Sequence, residues 1–444
     1  MKVVIIGASF AGVSAALAIR KKHPAAEIYL IEKQQTIGYL SGGLKLYFDE
    51  SIKPVEEARF ISEKQVADRN IHLLLNAKVI SMDSTEHILK YEQRGAELFM
   101  SFDKLILATG SNQWSQKIIG SDSDKVLKYK FLPGVLKAIE HLENSERVAL
   151  IGGGQIGAEA ADALLKKGKE VHLFERMDYL LFKYFDKEMI QPVQDEMEAK
   201  GVVFHFDEMV KAITDTDQGL MIETKNYECL CDSAVFAMNV RPDLQYLDKH
   251  IQTHTDQTIV VNKYLQTSQK DIFAIGDCIQ VPYSLSNESF YIPLVNNAVR
   301  TGLVVAENLV ERITPFVGSI RTIGTKLVDY YVASTGLTEA EGLFHDQPIA
   351  VSHVEQKSSF FSGSEKILGK IIFETSSHRI LGAQLVSKAN ILEKINTLAL
   401  GIQMGQTLEE LYQKDYLYHP YFSNVIDITN QLGLEGLWSE ADEN

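Results

Sequence analysis

Residues 147–175 read RVALIGGGQIGAEAADALLKKGKEVHLFE, and this stretch decides the fold. The apolar run Arg147–Ile151 predicts a β-strand, which leads directly into the loop GGGQIG. The loop has the full G-x-G-x-x-G spacing, in which glycines allow a tight turn and let the backbone approach a pyrophosphate. A predicted helix, Ala158–Lys167, and a second predicted strand, Glu170–Phe174, complete a β-α-β unit. The pattern predicts a dinucleotide site with the pyrophosphate at the helix N-terminus.

A carboxylate closes this unit. Glu175 ends the second strand, where it can accept hydrogen bonds from a ribose 2′-hydroxyl and would repel a 2′-phosphate. This favours NADH over NADPH, and the neighbouring Arg176 could relax that choice. The residues of this unit that we expect to bind NADH are Gly152, Gly154, Gly157 and Glu175.

The N-terminus carries a second copy of the same unit. Its loop, Gly7-Ala-Ser-Phe-Ala-Gly12, has Ser9 in place of the middle glycine, which is a mild change. Glu32 follows the second strand, at the position where a carboxylate binds ribose hydroxyls. Two such units imply two nucleotide sites, and the alternative is a glycine turn in an ordinary parallel sheet. The predicted elements of this copy are the strand Lys2–Ile6, the helix Ala11–Lys22 and the strand Glu27–Ile31.

Composition limits the possible functions. The chain has 444 residues and a formal net charge of −15, which argues against binding to nucleic acid or to anionic membranes. The three cysteines are too few for a disulfide framework, and a reducing cytoplasm fits them best. The apolar N-terminus could pass for a signal peptide, but its removal would destroy the first nucleotide motif. No other apolar run approaches the length of a membrane span.

After about Thr314 the pattern changes from repeated β-α-β units to strands separated by turns and then to helices. We predict a separate α+β domain for this part of the chain. The predicted strands are Leu327–Ser334, Lys366–Glu374 and Ile380–Ser387, and the predicted helices are Ile391–Met404 and Thr407–Tyr412.

Two further motifs complete a family pattern. Leu105–Gly110 reads LILATG, an apolar strand that ends in Thr-Gly, and Leu265–Asp277 reads LQTSQKDIFAIGD. With two Rossmann units in this order, the whole chain resembles the FAD-dependent pyridine nucleotide–disulfide oxidoreductases. The resemblance implies an α/β fold with an FAD-binding domain (1–112 and 245–316), an NADH-binding domain (113–244) and a C-terminal α+β dimerisation domain (317–444). It also implies a cytoplasmic homodimer.

The resemblance assigns cofactor-binding residues. In the family, the Asp of the AIGD motif, here Asp277, binds the ribitol of FAD. The segments Ile292–Gly302 and Val332–Thr338 resemble one subgroup: NADH oxidases, NADH peroxidases and coenzyme A-disulfide reductases. In that subgroup a helix that begins near Asn297 and Ala298 points at the flavin and stabilises its reduced, anionic form. The implied FAD-binding residues are Gly7, Ala8, Ser9, Phe10, Ala11, Gly12, Glu32, Lys33, Ser41, Val79, Ala108, Thr109, Gly110, Asp277, Asn297 and Ala298.

On the nicotinamide side, Ile156, Glu175 and Tyr184 match family positions that contact NADH. Asn239 stands where the family usually has glycine. No metal site is expected.

The catalytic segment departs from the family. Tyr39–Leu44 reads YLSGGL, where the subgroup normally has Ser-Cys-Gly, so Gly42 replaces the redox-active cysteine. Phe10 stands where the peroxidases and oxidases carry a histidine. The Ser41 hydroxyl can form hydrogen bonds but cannot perform thiol redox chemistry. We expect Cys229 and Cys231 to share one face of a strand and Cys278 to be a packed small residue.

Features of the coenzyme A-disulfide reductases are present only in part. Tyr418 matches a tyrosine that those enzymes supply to the partner subunit's active site, and His419 adjoins it. A second tyrosine of that subgroup is replaced where Phe360 and Phe361 stand. The basic stretch 20–22, Arg-Lys-Lys, matches a region that meets coenzyme A phosphates, or it is a solvated helix face.

The sequence therefore predicts an FAD enzyme that oxidises NADH and passes the electrons to a small-molecule or protein acceptor without thiol chemistry. The acceptor is dioxygen, a quinone or a protein carrier. With dioxygen, the product would be hydrogen peroxide. One alternative is a thiol enzyme of the subgroup in which Gly42 is an engineered replacement. A second alternative is a catalytically inactive sensor that binds FAD and NADH.

Overall fold

The structure is a computed structural model that describes residues 1–113, 118–238, 240–286, 288–421 and 423–442, with the backbone alone at 440–442. Asn239, which departs from the family glycine, lies outside the described residues.

The strands and helices follow one another as two nucleotide-binding units and a C-terminal unit. The strands are β1 Lys2–Ile6, β2 Glu27–Ile31, β3 Ile71–Leu74, β4 Ala77–Asp83, β5 Ile88–Gln93, β6 Ala96–Ser101, β7 Lys104–Leu107, β8 Asn112–Gln113, β9 Val126–Leu127, β10 Arg147–Ile151, β11 Glu170–Phe174, β12 Val202–His205, β13 Ala212–Thr216, β14 Gly219–Glu223, β15 Glu228–Cys231, β16 Ser233–Phe236, β17 Val240–Arg241, β18 Ile272–Ala274, β19 Val281–Pro282, β20 Ser289–Phe290, β21 Ile323–Leu327, β22 Tyr330–Gly336, β23 Ile349–Lys357, β24 Lys366–Glu374 and β25 Ile380–Ser387. The helices are α1 Phe10–Lys22, α2 Gly43–Phe48, α3 Glu63–Ala67, α4 Leu132–Asn144, α5 Gln155–Lys166, α6 Lys187–Ala199, α7 Val295–Asn308, α8 Glu339–Gly342, α9 Leu392–Gln403, α10 Leu408–Tyr412 and α11 Ile428–Asp442.

Two parallel sheets of five strands form the nucleotide-binding units. The first has the order β18-β7-β1-β2-β3, and the second has the order β12-β11-β10-β16-β9. After a basic first residue, the central strands β1 and β10 are apolar and buried because both faces of each sheet are covered, and Val4 and Leu150 are fully buried. In register, Val4 pairs with Tyr29 and Leu105, and Leu150 pairs with Leu173 and Val235. Strand β18 belongs to the first sheet, although in the chain it comes after all the strands of the second sheet.

Helices α1 and α7 cross at very short range, and this crossing sets the position of the α7 N-terminus. Gly302 makes it possible, because a Cβ atom there would lie 2.6 Å from the carbonyl oxygen of Ala11 and 2.9 Å from the Cβ of Ser14. Small residues at such a contact let the two backbones approach. The middle of α7 is thereby held against the first turns of α1, which fixes the direction in which the α7 N-terminus lies.

The C-terminal unit is an antiparallel sheet with the order β21-β22-β25-β24-β23, covered by α9 and α11. The strand predicted at Leu327–Ser334 is confirmed as β22 from Tyr330 onward, but its predicted start is three residues too early, because the chain turns there between the antiparallel strands β21 and β22. Val328 takes a left-handed φ of 48° at this turn, and its N–H donates to Asp162 Oδ1 at 3.0 Å. The strands predicted at β24 and β25 and the two predicted helices are confirmed, the helices within one residue at each end.

A buried lysine joins the second nucleotide-binding unit to the C-terminal sheet. The side chain of Lys370 is fully buried, and its ammonium lies among three carboxylates, at 2.9 Å from Asp186, at 2.5 Å from Glu339 and in contact with Glu188. Burial raises the pKa of Glu188, but the hydrogen bond from Lys370, a backbone hydrogen bond and the charge of Lys370 together hold that pKa below its usual value. Breaking a buried charge network by removing one partner is strongly destabilising.

We predict that Lys370→Met lowers the free energy of unfolding by about 3–5 kcal/mol. Without the ammonium, burial and Asp186 both raise the pKa of Glu188, so the variant should gain stability relative to wild type as pH falls from 7 to 5. Thermal unfolding at both pH values measures this. Lys366 lies on the same strand as Lys370, and Lys366→Met, which breaks an exposed pair with Glu355 of β23, should cost no more than about 0.5 kcal/mol. Equal losses in the two variants would contradict the prediction.

Candidate active site

The first cleft opens where β1 ends and α1 begins. Gly7 has φ 105°, and a Cβ atom there would overlap the carbonyl oxygen of Ala108 on the neighbouring strand end. Ser9 caps α1 without a hydrogen bond from its side chain, so the first N–H groups of the helix point into the cleft. Gly12 packs behind this loop, because a Cβ on it would overlap the carbonyl oxygen of Gly7. The helix start is therefore an anion-binding position.

Both units hold their acidic residue in the same way. Glu32 Oε2 accepts a hydrogen bond from the N–H of Ala8 at 2.8 Å, and Glu175 Oε2 accepts one from the N–H of Gly153 at 2.7 Å. In each case the other carboxylate oxygen accepts from the N–H two residues further along the chain. Each carboxylate thus clamps its own glycine loop to the end of the next strand and keeps one lone pair per oxygen for a ribose.

Most of the predicted FAD-binding residues line this first cleft. Two do not: Gly12 lies behind the loop, and Asn297 is buried with its side-chain amide bonded to the carbonyl of Ile292 at 3.1 Å. The predicted residues on the cleft wall are Gly7, Ala8, Ser9, Phe10, Ala11, Glu32, Lys33, Ser41, Val79, Ala108, Thr109, Gly110, Asp277 and Ala298.

The sequence interpretation missed several polar residues of the same cleft. Lys130 contacts Ser111 Oγ and donates to Asp277 Oδ2 at 3.2 Å, and Ser111 Oγ donates to the same carboxylate oxygen at 2.8 Å. The hydroxyls of Thr109 and Tyr246 lie 3.1 Å apart. The segments that carry Lys130 and Tyr246 have no motif, and only the fold brings them to the cleft.

The residues present fit a dinucleotide that carries an aromatic ring system. Tyr39 and Gln113 line this cleft, and among the described residues the Tyr39 Oη and Gln113 Oε1 atoms are buried without a hydrogen-bond partner. Burial raises the pKa of Tyr39, so its hydroxyl stays protonated and available as a donor. Buried polar atoms without partners are rare in folded proteins, and a bound ligand would satisfy them.

The second cleft repeats this geometry at the start of α5. Gly154 caps the helix, and a Cβ on Gly157 would overlap the carbonyl oxygen of Gly152. The helix begins at Gln155, earlier than predicted, because the loop itself forms its first turn. Ile156 is 42% exposed and also borders the first cleft, so it lies between the two units. Tyr184 is half-buried in the segment between β11 and α6. Burial raises its pKa, and the charge of Arg321 lowers it by a smaller amount.

Gly42 lies at the N-terminus of α2, beside a cavity. Its backbone angles, φ −86° and ψ 8°, suit any amino acid, and among the described residues a Cβ there would meet no atom within 4 Å outside its chain neighbours. Gly43 differs, because a Cβ there would overlap the hydroxyl of Tyr39 and lie 2.9 Å from the Cβ of Ala58. The position where the subgroup has cysteine is thus open to a side chain, and the next position is closed.

Aromatic residues take the place of the polar groups found in the subgroup. Phe10 stacks on Phe60 with 4.8 Å between ring centroids. Tyr418 is 54% exposed and lines neither of these clefts within its own chain. Phe361 stacks on Tyr421 at 5.2 Å, also on the surface of the C-terminal unit. Phe422, which ends the Tyr418 motif, lies outside the described residues.

The three cysteines are all buried away from Gly42. As predicted, Cys229 and Cys231 share a face of β15, with their sulfurs 3.6 Å apart, and Cys278 is fully buried. Hydrogen bonds from Cys231 and then His172 lower the pKa of Cys229, while burial raises the pKa of Cys278 to about 12. None of the three lines the cleft or the cavity beside Gly42.

The basic stretch at the end of α1 has a structural use. The guanidinium of Arg20 donates to four backbone carbonyls, those of Arg69, Pro24, Ala26 and Asn70, at 2.6 to 3.0 Å. Lys22 pairs with a glutamate of α7. Of the described side chains in this stretch, these two are engaged within the protein rather than reserved for a phosphate.

Comparison with known proteins gives the family. Residues 1–302 match the family described as pyridine nucleotide-disulphide oxidoreductase, and residues 323–429 match its dimerisation domain. The chain belongs to this family. It is therefore an FAD-dependent pyridine nucleotide oxidoreductase with an α/β nucleotide-binding region and a C-terminal dimerisation domain.

Relatives cover the full length of this oxidoreductase. An NADH oxidase of Enterococcus faecalis is 32% identical, and the match spans 98% of this chain and 100% of that protein. An NAD(P)H sulfur oxidoreductase of Pyrococcus abyssi, described as CoA-dependent, is 27% identical over 96% of both.

Solved structures have the same fold. A pyridine nucleotide-disulfide family oxidoreductase from Enterococcus faecalis is 52% identical, covers both chains completely and superposes with a TM-score of 0.91. The water-forming NADH oxidase from Lactobacillus brevis, bound to NADH, is 30% identical, covers 100% of this chain and 99% of its own, and has a TM-score of 0.96. In the part of the chain that the structure describes, none of the helices combines the length and the apolar character of a membrane span.

The contrast between the two adjacent glycines can be measured. We expect Gly42→Ala to keep or slightly raise stability, by up to about 1 kcal/mol, because alanine fits the space and restricts the unfolded chain. Gly43→Ala should cost about 1–3 kcal/mol, because its methyl group overlaps Tyr39. Denaturant unfolding of the two variants gives both values, and a Gly42→Ala loss as large as that of Gly43→Ala would show that the space beside Gly42 is closed.

Proposed function

We propose that this oxidoreductase transfers electrons from NADH through FAD to an acceptor that never forms a bond to a protein sulfur. The observation that carries the proposal is the glycine at position 42, where the subgroup has its redox cysteine, together with the burial of all three cysteines elsewhere. An enzyme of this fold without that thiol retains both nucleotide units. The NADH oxidases among its relatives support NADH as the electron donor.

The first cleft is the proposed FAD site. The N–H groups at the start of α1 would bind the pyrophosphate, and Glu32 would accept hydrogen bonds from ribose hydroxyls. Asp277 and Lys130 form an ion pair and would contact the ribitol of the ligand. The start of α7, at Val295 and Ala298, borders the same cleft and places its positive helix end there.

The second cleft is the proposed NADH site. Gly152, Gly154 and Gly157 would cradle the pyrophosphate, Glu175 would bind the ribose, and Tyr184 would border the nucleotide. Ile156 touches the first cleft and would hold the nicotinamide against the flavin. Bound there, FAD would supply two-electron chemistry, by which a hydride from NADH could be passed on as an electron pair to a second substrate. The protein's part is to position both rings and exclude water.

The residues around Gly42 provide the acceptor side. Ser41 borders the FAD cleft and offers a hydroxyl, whereas Phe10 and Phe60 present an aromatic surface. None of these side chains reduces a disulfide or a peroxide. With dioxygen as acceptor, the product would be hydrogen peroxide, because no thiolate is present to reduce it to water.

We also propose that the chain works as a cytoplasmic homodimer, with an FAD domain at 1–112 and 245–316, an NADH domain at 113–244 and a dimerisation domain at 317–444. The dimerisation-domain match over residues 323–429 supports the dimer. The exposed ring of Tyr418 would then reach the partner subunit's acceptor side, where it would stand beside the partner's Gly42.

The first test is turnover by the yellow holoenzyme. Anaerobic NADH should bleach the flavin absorbance fast enough to account for turnover, and NADH oxidation in air should give about one hydrogen peroxide per NADH. Alkylation with iodoacetamide should leave the rate unchanged, because no cysteine takes part. Slow bleaching with a stable charge-transfer band would instead support a sensor, and loss of activity on alkylation would implicate a cysteine.

The second test concerns nucleotide choice. Glu175→Ala should raise the Kd of NADH about tenfold and that of NADPH less, because only the NADH ribose offers a 2′-hydroxyl to the carboxylate. Anaerobic calorimetric titration of the holoenzyme, reduced beforehand with dithionite so that no hydride transfer follows binding, measures both values. Glu32→Ala, which removes the equivalent clamp of the first unit, should leave the ratio of the two Kd values unchanged. If Glu175→Ala weakened the binding of NADH and NADPH equally, Glu175 would not bind the 2′-hydroxyl.

A further inference from the structure

A second cavity of about 350 Å³ lies beside Gly42, where the three structural units meet. Helix α2 of the first unit, α5 of the second and β21 of the C-terminal sheet each form part of its wall. Much of this wall is apolar and includes Leu44, Phe48, Tyr129, Ala160, Ala163 and Ile323. A pocket of this size with mostly apolar walls and a few polar groups is typical of small-molecule sites.

The cavity adjoins the proposed FAD cleft. Ser41, Ile156, Pro293 and Val295 line both spaces, so a ligand in the cavity would lie next to a ligand in the cleft. Gly42 lines the cavity but not the cleft. Because glycine has no side chain, the space beside it in the cavity is open. A ligand there can therefore approach from the side on which the subgroup places its thiol.

Among the described residues, two charged side chains line this cavity: Lys45, and Glu159, whose Oε1 accepts hydrogen bonds from Gln155 and Thr325. The ammonium of Lys45 donates to Asp49 at 2.6 Å and to Asp162 at 3.0 Å, and these described contacts use two of its three protons. Lys166 binds the same two carboxylates, at 2.8 and 3.0 Å, but does not line the cavity. The two lysines thus share one ion network, and of the two Lys45 alone lines the cavity.

We propose that this cavity binds the electron acceptor and that the acceptor is a quinone with one or two rings. The inference rests on the proposed function and names its second substrate. A flat apolar ring fits the aliphatic and aromatic wall, and Lys45 would donate its third N–H to one quinone oxygen. A phosphate-bearing acceptor such as coenzyme A fits less well, because Arg20 and Lys22 are engaged within the protein.

The reaction balances without sulfur. NADH supplies one hydride, which is a proton and two electrons, and solvent supplies a second proton. The quinone takes up two electrons and two protons, both of its C=O groups become C–OH groups, and NAD⁺ is released. Negative charge develops on the quinone oxygens as the electrons arrive, and the Lys45 ammonium stabilises it by a charge-assisted hydrogen bond.

The test uses oxidised holoenzyme without NADH and the naphthoquinone menadione as the probe. Equilibrium dialysis should show one saturable site per chain. Lys45→Met should raise the menadione Kd about tenfold, because it removes the hydrogen bond to the quinone. Lys166→Met should leave that Kd within about twofold, although it disturbs the same carboxylates. Gly42→Leu, whose side chain enters the cavity mouth, should raise it more than tenfold.

Three results would overturn the quinone site: no saturable menadione binding, equal effects of the two lysine variants, or unchanged binding in Gly42→Leu. Anaerobic bleaching by NADH, measured on the same preparations, separates this inference from the proposed function. Bleaching without menadione binding refutes the quinone site alone, whereas absence of bleaching refutes the proposed function itself. Menadione-dependent NADH oxidation that slows in Lys45→Met but not in Lys166→Met would support both.

Discussion

The close packing of two glycines within each nucleotide-binding loop is the constraint on which both nucleotide sites depend. Within each loop, the last glycine packs directly on the carbonyl of the first, Gly12 on Gly7 and Gly157 on Gly152, with no room for a Cβ atom. This contact lets a helix start immediately after a buried strand, so the free N–H groups of its first turn face the cleft. Any larger residue would push the helix away and remove the anion-binding position.

The acidic clamps add to this constraint. Glu32 and Glu175 fix their loops through one backbone N–H each, in matching geometry. The two nucleotide sites are thus built by the same local interactions, although Ser9 replaces a glycine in the first. Other contacts join the units: Asp162 of the second unit pairs with Lys45 of the first and accepts from Val328 of the C-terminal sheet, and Lys370 ties that sheet to Asp186 of the second unit.

Strands and loops with strong local signals could be predicted from the sequence, and they follow the predicted bounds closely. The start of the strand expected at Leu327–Ser334 was placed three residues too early because the turn at Val328 carries no glycine, proline or asparagine, and the N–H of Val328 bonds to Asp162, far away in the chain. The cleft residues of the motifs could be named, but Lys130 and Tyr246 could not, since only tertiary packing brings them there. Asn297 was expected at the flavin because of its place in a motif, yet its amide is used inside the protein.

The backbone at Gly42 has consequences for how such enzymes diverge. It already has the conformation of an ordinary residue, and the space beside it is open. Glycine and cysteine codons can differ by a single nucleotide. Sulfur chemistry could therefore be lost or regained in this lineage in one mutational step, without passing through a misfolded ancestor, while the machinery for taking electrons from a nicotinamide stayed intact.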